Sequence, residues 1–268
     1  MQSNRKNFVL PKTYLIGYTE VNLQGLKDYL HDSGQEVFLE EIEQAQREGL
    51  NNGEILCSFY AKLCYASLTT GKNKNITRIR AVRDNIIGTV ESGHGSVFEH
   101  CQLNFVVKDC SRVFTHEQVR HRAGTAFSQT SGRYVRTDEL NVVIDPILEP
   151  AYDLIEESRA FLEDWYKRME IRLGIAGEKS FDKKKKLTSA MRRMLPNGQA
   201  NELGFSINIR ALRHVIELRT SGHAEWETRL IHNQVYELVK DKYPAIFADA
   251  QTKDVDGLKE ISFKNKKI

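Results

Sequence analysis

The sequence predicts an α+β fold. Long stretches with apolar residues at helical spacing occupy most of the chain, and a few short runs rich in β-branched and aromatic residues stand among them. The two kinds do not alternate in the regular order that builds a parallel, doubly wound sheet. No internal repeat, low-complexity linker or clear boundary divides residues 1–268, so a single domain is expected.

In chain order, Tyr14–Tyr18 reads as a first strand, and residues 23–50 as helix broken near Ser33-Gly34. Asn51-Asn52-Gly53 reads as a turn. Residues 54–68 follow as a helix, with Ile55, Phe59, Leu63 and Ala66 at helical spacing. A polar loop leads to a second helix over 76–90, with Ile79, Val82, Ile86 and Val90 on one side. Residues 101–108 alternate Leu103, Phe105 and Val107 with their neighbours, the period of a strand. Ser111–Val119 is expected to be helical, and the segment from Tyr134 to Pro146 irregular, with a short extended piece at 142–144. Pro150 opens a long helix to Leu173, where its missing N–H costs little. Helix over 180–194, strand over 200–207, and helices over 208–219 and 223–243 complete the body. The polar, basic tail over 255–268 is expected to be peripheral or loose.

The composition, 40% apolar and 28% charged, is that of a soluble globular protein, and a net charge of +3 is too small for a dedicated nucleic-acid binder. It leaves room for local cationic pockets. Cys57, Cys64, Cys101 and Cys110 show neither a CxxC pair nor zinc-like spacing. Cys57 and Cys64 read as core, and a reducing cytoplasm is the expected compartment. Phe8-Val9-Leu10 is too short for the core of a signal peptide, and no run approaches a membrane span.

The richest stretch runs from Arg120 to Tyr134. It holds the triplet Arg120-His121-Arg122, Gly124 and Gly132, hydroxyls at Thr125, Ser128, Thr130 and Ser131, and Arg133. Guanidinium forks, hydroxyls and backbone N–H groups together suit a phosphate. Cations that merely complement a helix C-terminus would account for the triplet but not for Ser131-Gly132-Arg133. His94, Glu99 and His100 have no metal-ligand spacing, so no metal is expected. No glycine-rich dinucleotide fingerprint or Walker loop is present. Arg192, Arg210, Arg219 and Arg229 recur in the C-terminal part, with Arg210 and His214 on one helix face.

The combination of His94-x-Ser96-x-x-Glu99-His100, Arg120-His121-Arg122 and Ser128-Gln129-Thr130-Ser131-Gly132-Arg133-Tyr134 resembles the flavin-dependent thymidylate synthases (ThyX). The stretches Arg192–Pro196, Asn208–Arg210, Glu217–Arg219 and His223–Glu227 resemble the same family, so the likeness spans about residues 94–230. It implies a homotetramer whose subunits combine helices with a largely antiparallel sheet, and active sites at subunit interfaces. It implies reductive methylation of dUMP to dTMP, with methylenetetrahydrofolate as carbon donor and NADPH as reductant through FAD. On that resemblance His94, Ser96, Arg120, His121, Arg122, Gln129, Asn208, Arg210, His214 and His223 belong to or beside the flavin site. Glu117, Arg120, Gln129, Thr130, Ser131, Gly132, Arg133, Arg192 and Arg219 belong to the dUMP site. Arg219 is the implied catalytic residue, stabilising charge on the pyrimidine edge with a fork that never deprotonates.

The chemistry agrees with the residue types, since no cysteine stands among the phosphate-binding elements to activate the pyrimidine as a nucleophile. Two departures stand out. Eight residues, Ala123 to Thr130, separate Arg122 from Ser131, one more than the family's usual spacing, and Glu117 stands where the family often has glutamine. The altered loop keeps open a relative that makes a hydroxymethyl product from the same site. The arginine-rich loop and Lys183–Lys186 keep open a nucleic-acid-binding module, against which the small net charge argues.

Overall fold

The computed structural model describes residues 6–135 and 139–268. Strand β1 (Lys12–Tyr18) leads into α1 (Leu23–Asp32) and α2 (Val37–Arg47), which break at Ser33-Gly34 as expected. Helix α3 (Asn52–Cys64) starts where a turn was expected. Asn51 is its N-cap, accepting from the Gly53 and Glu54 N–H groups, and the Glu54 side chain accepts from the Asn51 N–H in return. It also ends short of residue 68, with Leu63 and Cys64 exposed, so Cys64 is not core.

Helix α4 (Val82–Glu91) begins six residues later than the periodicity predicts. The buried ammonium of Lys62 donates to the Arg80 carbonyl, and the Asn75 N–H donates to Asn73 Oδ1. These bonds hold the segment before Val82 out of helix. A 3₁₀ turn, Gly95–His100, then feeds β2 (Gln102–Ser111). Ser111 caps α5 (Arg112–Gln118) by accepting from the Phe114 N–H. The expected loop after α5 contains a strand, β3 (Thr125–Gln129). Its alternation of half-buried and exposed residues is that of a sheet edge.

Beyond it come α6 (Tyr152–Arg172), α7 (Phe181–Met191), β4 (Ala200–Asn208), α8 (Ile209–Thr220) and α9 (Trp226–Val239). The expected extended piece at 142–144 is reduced to bridges from Val142 to Phe8 and Gln199. Among the described residues, β1, β2, β4 and β3 form one antiparallel sheet in that order. The register sets Phe105 opposite Phe205 and Phe127 opposite Phe205. Phe105 and Phe205 stack at 5.1 Å between centroids, and burying one such ring contributes about 3 kcal/mol. Leu103, Val107, Leu203 and Ile207 continue this buried face against Leu212, Val215, Ile216, Ile231 and Val235 of α8 and α9.

The tail is not loose. Residues 250–263 form a hairpin of β5 (Ala250–Val255) and β6 (Leu258–Phe263), and Ile261 and Phe263 join the core. Arg213 of α8, fully buried, donates to both oxygens of Asp249 at 2.8 and 3.0 Å and lies 4.0 Å from the centre of the Phe263 ring. The lysine run on α7 faces largely outward, with Lys183 paired to Glu178 at 2.6 Å and Lys185 over the Tyr134 ring at 4.7 Å. No helix of the described residues is long and apolar enough to cross a membrane.

Candidate active site

The sheet order places the end of β4 beside the start of β3, and this join builds the site. Asn208 ends β4 and caps α8, its Oδ1 accepting from the Ala211 N–H at 2.8 Å. Its own N–H donates to the Gly124 carbonyl at 3.0 Å. Gly124 has a φ of +66°, and a Cβ there would lie 1.9 Å from Asn208 Nδ2, so the close approach requires glycine. Ala123, Gly124, Asn208, Arg210 and His214 line one cavity of about 360 Å³ with Glu99, whose carboxylate pairs with Arg210 at 2.5 Å. The positive end of α8 opens into it.

A second group centres on Glu117 at the end of α5. Its carboxylate accepts from Arg219 Nη1 at 2.7 Å and from Arg120 Nη1 at 3.0 Å, and its carbonyl accepts from Arg219 Nη2 at 3.1 Å. Burial pushes the Glu117 carboxyl up, but the Arg219 and Arg120 guanidinium groups hold it below the usual carboxylate range. Arg219 Nε donates to His121 Nε2 at 2.7 Å. A guanidinium cannot accept, so that ring nitrogen is bare and the imidazole is neutral. Burial, then the nearby charges of Arg219, His214 and Arg120, depress the His121 pKa to about 4.

A third group lies beyond β3. Thr130 and Gly132 line a cavity of about 240 Å³ with Arg112, and a Cβ built on Gly132 would come within 3.4 Å of Arg112 Nη2 and 3.5 Å of Arg192 Cδ. Burial, then the neighbouring Arg192, lowers the Arg112 pKa. Asp109, Glu139 and Glu202 also line this cavity, the first two paired with Lys108 and Lys6. Ser131 Oγ accepts from the Arg133 N–H at 3.3 Å, and Gln129 Nε2 donates to Thr115 Oγ1 at 2.9 Å, tying β3 to α5.

The predicted residues therefore fall into separate groups rather than one pocket. Asn208, Arg210 and His214 share a cavity, Thr130, Gly132 and Arg192 gather beside Arg112, and Glu117, Arg120, His121 and Arg219 form one network. His94 and Ser96 line a neighbouring cavity of about 520 Å³ with Arg78 and Arg80, while Gly95 between them packs on Arg210. Arg122, Arg133 and His223 are exposed, the last with its N–H on Ser221 Oγ at 3.4 Å. Sequence reasoning missed Arg112. It lies at i, i+3 and i+7 spacing with Thr115 and Val119, which sets it on the Gln129 side of α5.

A family model described as thymidylate synthase complementing protein matches residues 48–245. The chain is 31% identical over 206 residues to the flavin-dependent thymidylate synthase of Mycolicibacterium gilvum, covering 74% of this chain and 80% of that protein. The enzyme of the same name from Mycobacterium marinum is 32% identical over 206 residues, with the same coverage. That from Corynebacterium diphtheriae is 31% identical over 208 residues, or 75% of this chain and 80% of the relative. With most of its length matched by the family model and a relative 32% identical over 74% of it, the chain belongs to the thymidylate synthase complementing protein family.

Proposed function

We infer that this chain is a flavin-dependent thymidylate synthase that converts dUMP to dTMP, with FAD as cofactor, methylenetetrahydrofolate as carbon donor and NADPH as reductant. The observation that carries the reading is Arg219, whose guanidinium is held in place by His121 of the Arg120-His121-Arg122 triplet and by Glu117 at the end of α5.

The residues fit a flavin dinucleotide. Asn208 and Gly124 let backbone approach closely, the α8 N-terminus and Arg210 suit a diphosphate, and His214 opens on the same space. Bound there, FAD would supply hydride chemistry that spares the protein a cysteine nucleophile. Neutral His121 holds Arg219 in orientation without adding charge. Glu117 keeps the Arg219 fork compensated until a pyrimidine edge takes its place, and Arg219 then stabilises negative charge on that edge. Arg112, Arg192, Arg133 and the Ser131 hydroxyl hold the 5′-phosphate by charge-assisted bonds. Gln129 is fixed on Thr115 of α5, the helix that also carries Arg112 and Glu117.

The exposed Arg120, Arg122 and Arg133 support a site completed by a second copy, and we extend the reading to a homotetramer. Its thiols are unpaired, which suits the cytoplasm.

The test is an anaerobic absorbance spectrum of the purified chain before and after NADPH, followed by mass spectrometry of the pyrimidine product. A flavin band that bleaches, and dUMP gaining a methyl group, are expected. No flavin uptake, or a hydroxymethyl product, would overturn the reading.

A further inference from the structure

The matched family region stops at residue 245, yet the chain returns to the candidate cofactor cavity after it. Beyond β6, residues 264–268 cross the end of α4. Asn265 fastens this strap. Its Nδ2 donates to the carbonyls of Val90 and Glu91, its N–H donates to Asp249 Oδ2 at 3.0 Å, and its Oδ1 accepts from the Lys267 N–H at 3.0 Å.

Two glycines make room for the strap. A Cβ built on Gly93 would lie 3.2 Å from Lys267 Cβ, and one on Gly95 would lie 3.2 Å from Ile268 Cα and 2.7 Å from Arg210 Nε. The result is that Lys266, Lys267 and Ile268 line the same cavity as Asn208, Arg210 and His214.

Charge accounting selects one side chain. Arg210 is compensated by Glu99 at 2.5 Å, and Lys266 by Glu217 at 3.1 Å. Lys267 has no carboxylate partner among the described residues. Lys267 is therefore the strap cation that lines the cavity beside the positive end of α8 without a carboxylate partner among the described residues.

We propose that residues 264–268 form a wall of the cofactor cavity and that Lys267 binds the diphosphate of a flavin dinucleotide together with Arg210 and the N-terminus of α8. This rests on the flavin reading above. The Asn265 clasp is the positioning element, since it ties the strap to α4 and to the carboxylate that Arg213 also holds.

FAD and dUMP titrations of the whole chain test it, comparing wild type with Lys267→Glu and Asn265→Ala. Lys267→Glu is expected to weaken FAD about tenfold, the scale of reversing one exposed phosphate contact, with dUMP affinity unchanged. Asn265→Ala should weaken FAD in the same direction without altering charge. FAD affinity in Lys267→Glu within twofold of wild type, or equal loss of FAD and dUMP, overturns the proposal. A wild-type chain that takes up no FAD overturns the flavin reading beneath it instead.

Discussion

Arg219 is engaged before any substrate arrives, with its Nε on His121, Nη1 on the Glu117 carboxylate and Nη2 on the Glu117 carbonyl. Its side chain is only 14% exposed, so the fork is held rather than swinging in solvent. Removing it should cost charge stabilisation in the transition state and leave the α8 cavity intact. Arg219→Ala is expected to lower turnover by about a hundredfold or more while bound FAD per chain stays near wild type. Turnover and flavin content measured on one preparation check this, and retained turnover would remove the polarising role. The sequence makes Arg219 visible as one of several arginines near histidines, and the likeness to a family gives it a role. Its partnership with Glu117 is invisible there, because the two are 102 residues apart and meet only when α5 and α8 fold together. Arg112 escapes for a different reason, since an arginine in a first helical turn reads as solvated until Gly132 and Arg192 close around it.

At the scale of elements, periodicity finds β1, β2 and β4 because their buried faces alternate, and α8 and α9 because their stripes are long. Strand β3 is missed because an edge strand buries little, and its Thr, Ser and Gln residues look like loop. The hairpin is missed because its apolar residues, Ile261 and Phe263, acquire a core only from helices placed elsewhere. What fastens it is the Arg213–Asp249 pair, with the Arg213 side chain 0% and that of Asp249 14% exposed. Arg213→Ala strands that carboxylate and removes the guanidinium from the Phe263 face, a loss of about 3–5 kcal/mol in unfolding free energy. Urea denaturation measures it. Replacing Asp249 by leucine in the Arg213→Met background should recover part of the loss, since a well-packed apolar pair avoids the stranded charge.

For the whole molecule, the sequence made α+β order and the arginine-rich stretches legible, but not the way the arginines divide into separate groups at the two ends of the sheet. Arg122 and Arg133 stand exposed on the loop side, while Arg210 and His214 face the α8 cavity. If one site takes the loop arginine from one copy and α8 from another, mixing and reassembling inactive Arg122→Ala with inactive Arg210→Ala restores part of the activity, because some sites then inherit both intact residues. Activity that stays at the level of the separate variants would place each site within a single chain. The cysteines bring a practical consequence at this scale. Burial pushes the Cys110 thiol up to about 12, and contact with Cys101 and burial raise that of Cys57. Cys64 alone is exposed, on the rim of the cavity that His94 and Ser96 line. A thiol-reactive fluorophore therefore marks one position per chain without any mutation, and the native sequence carries its own reporter beside the His94–Ser96 cavity.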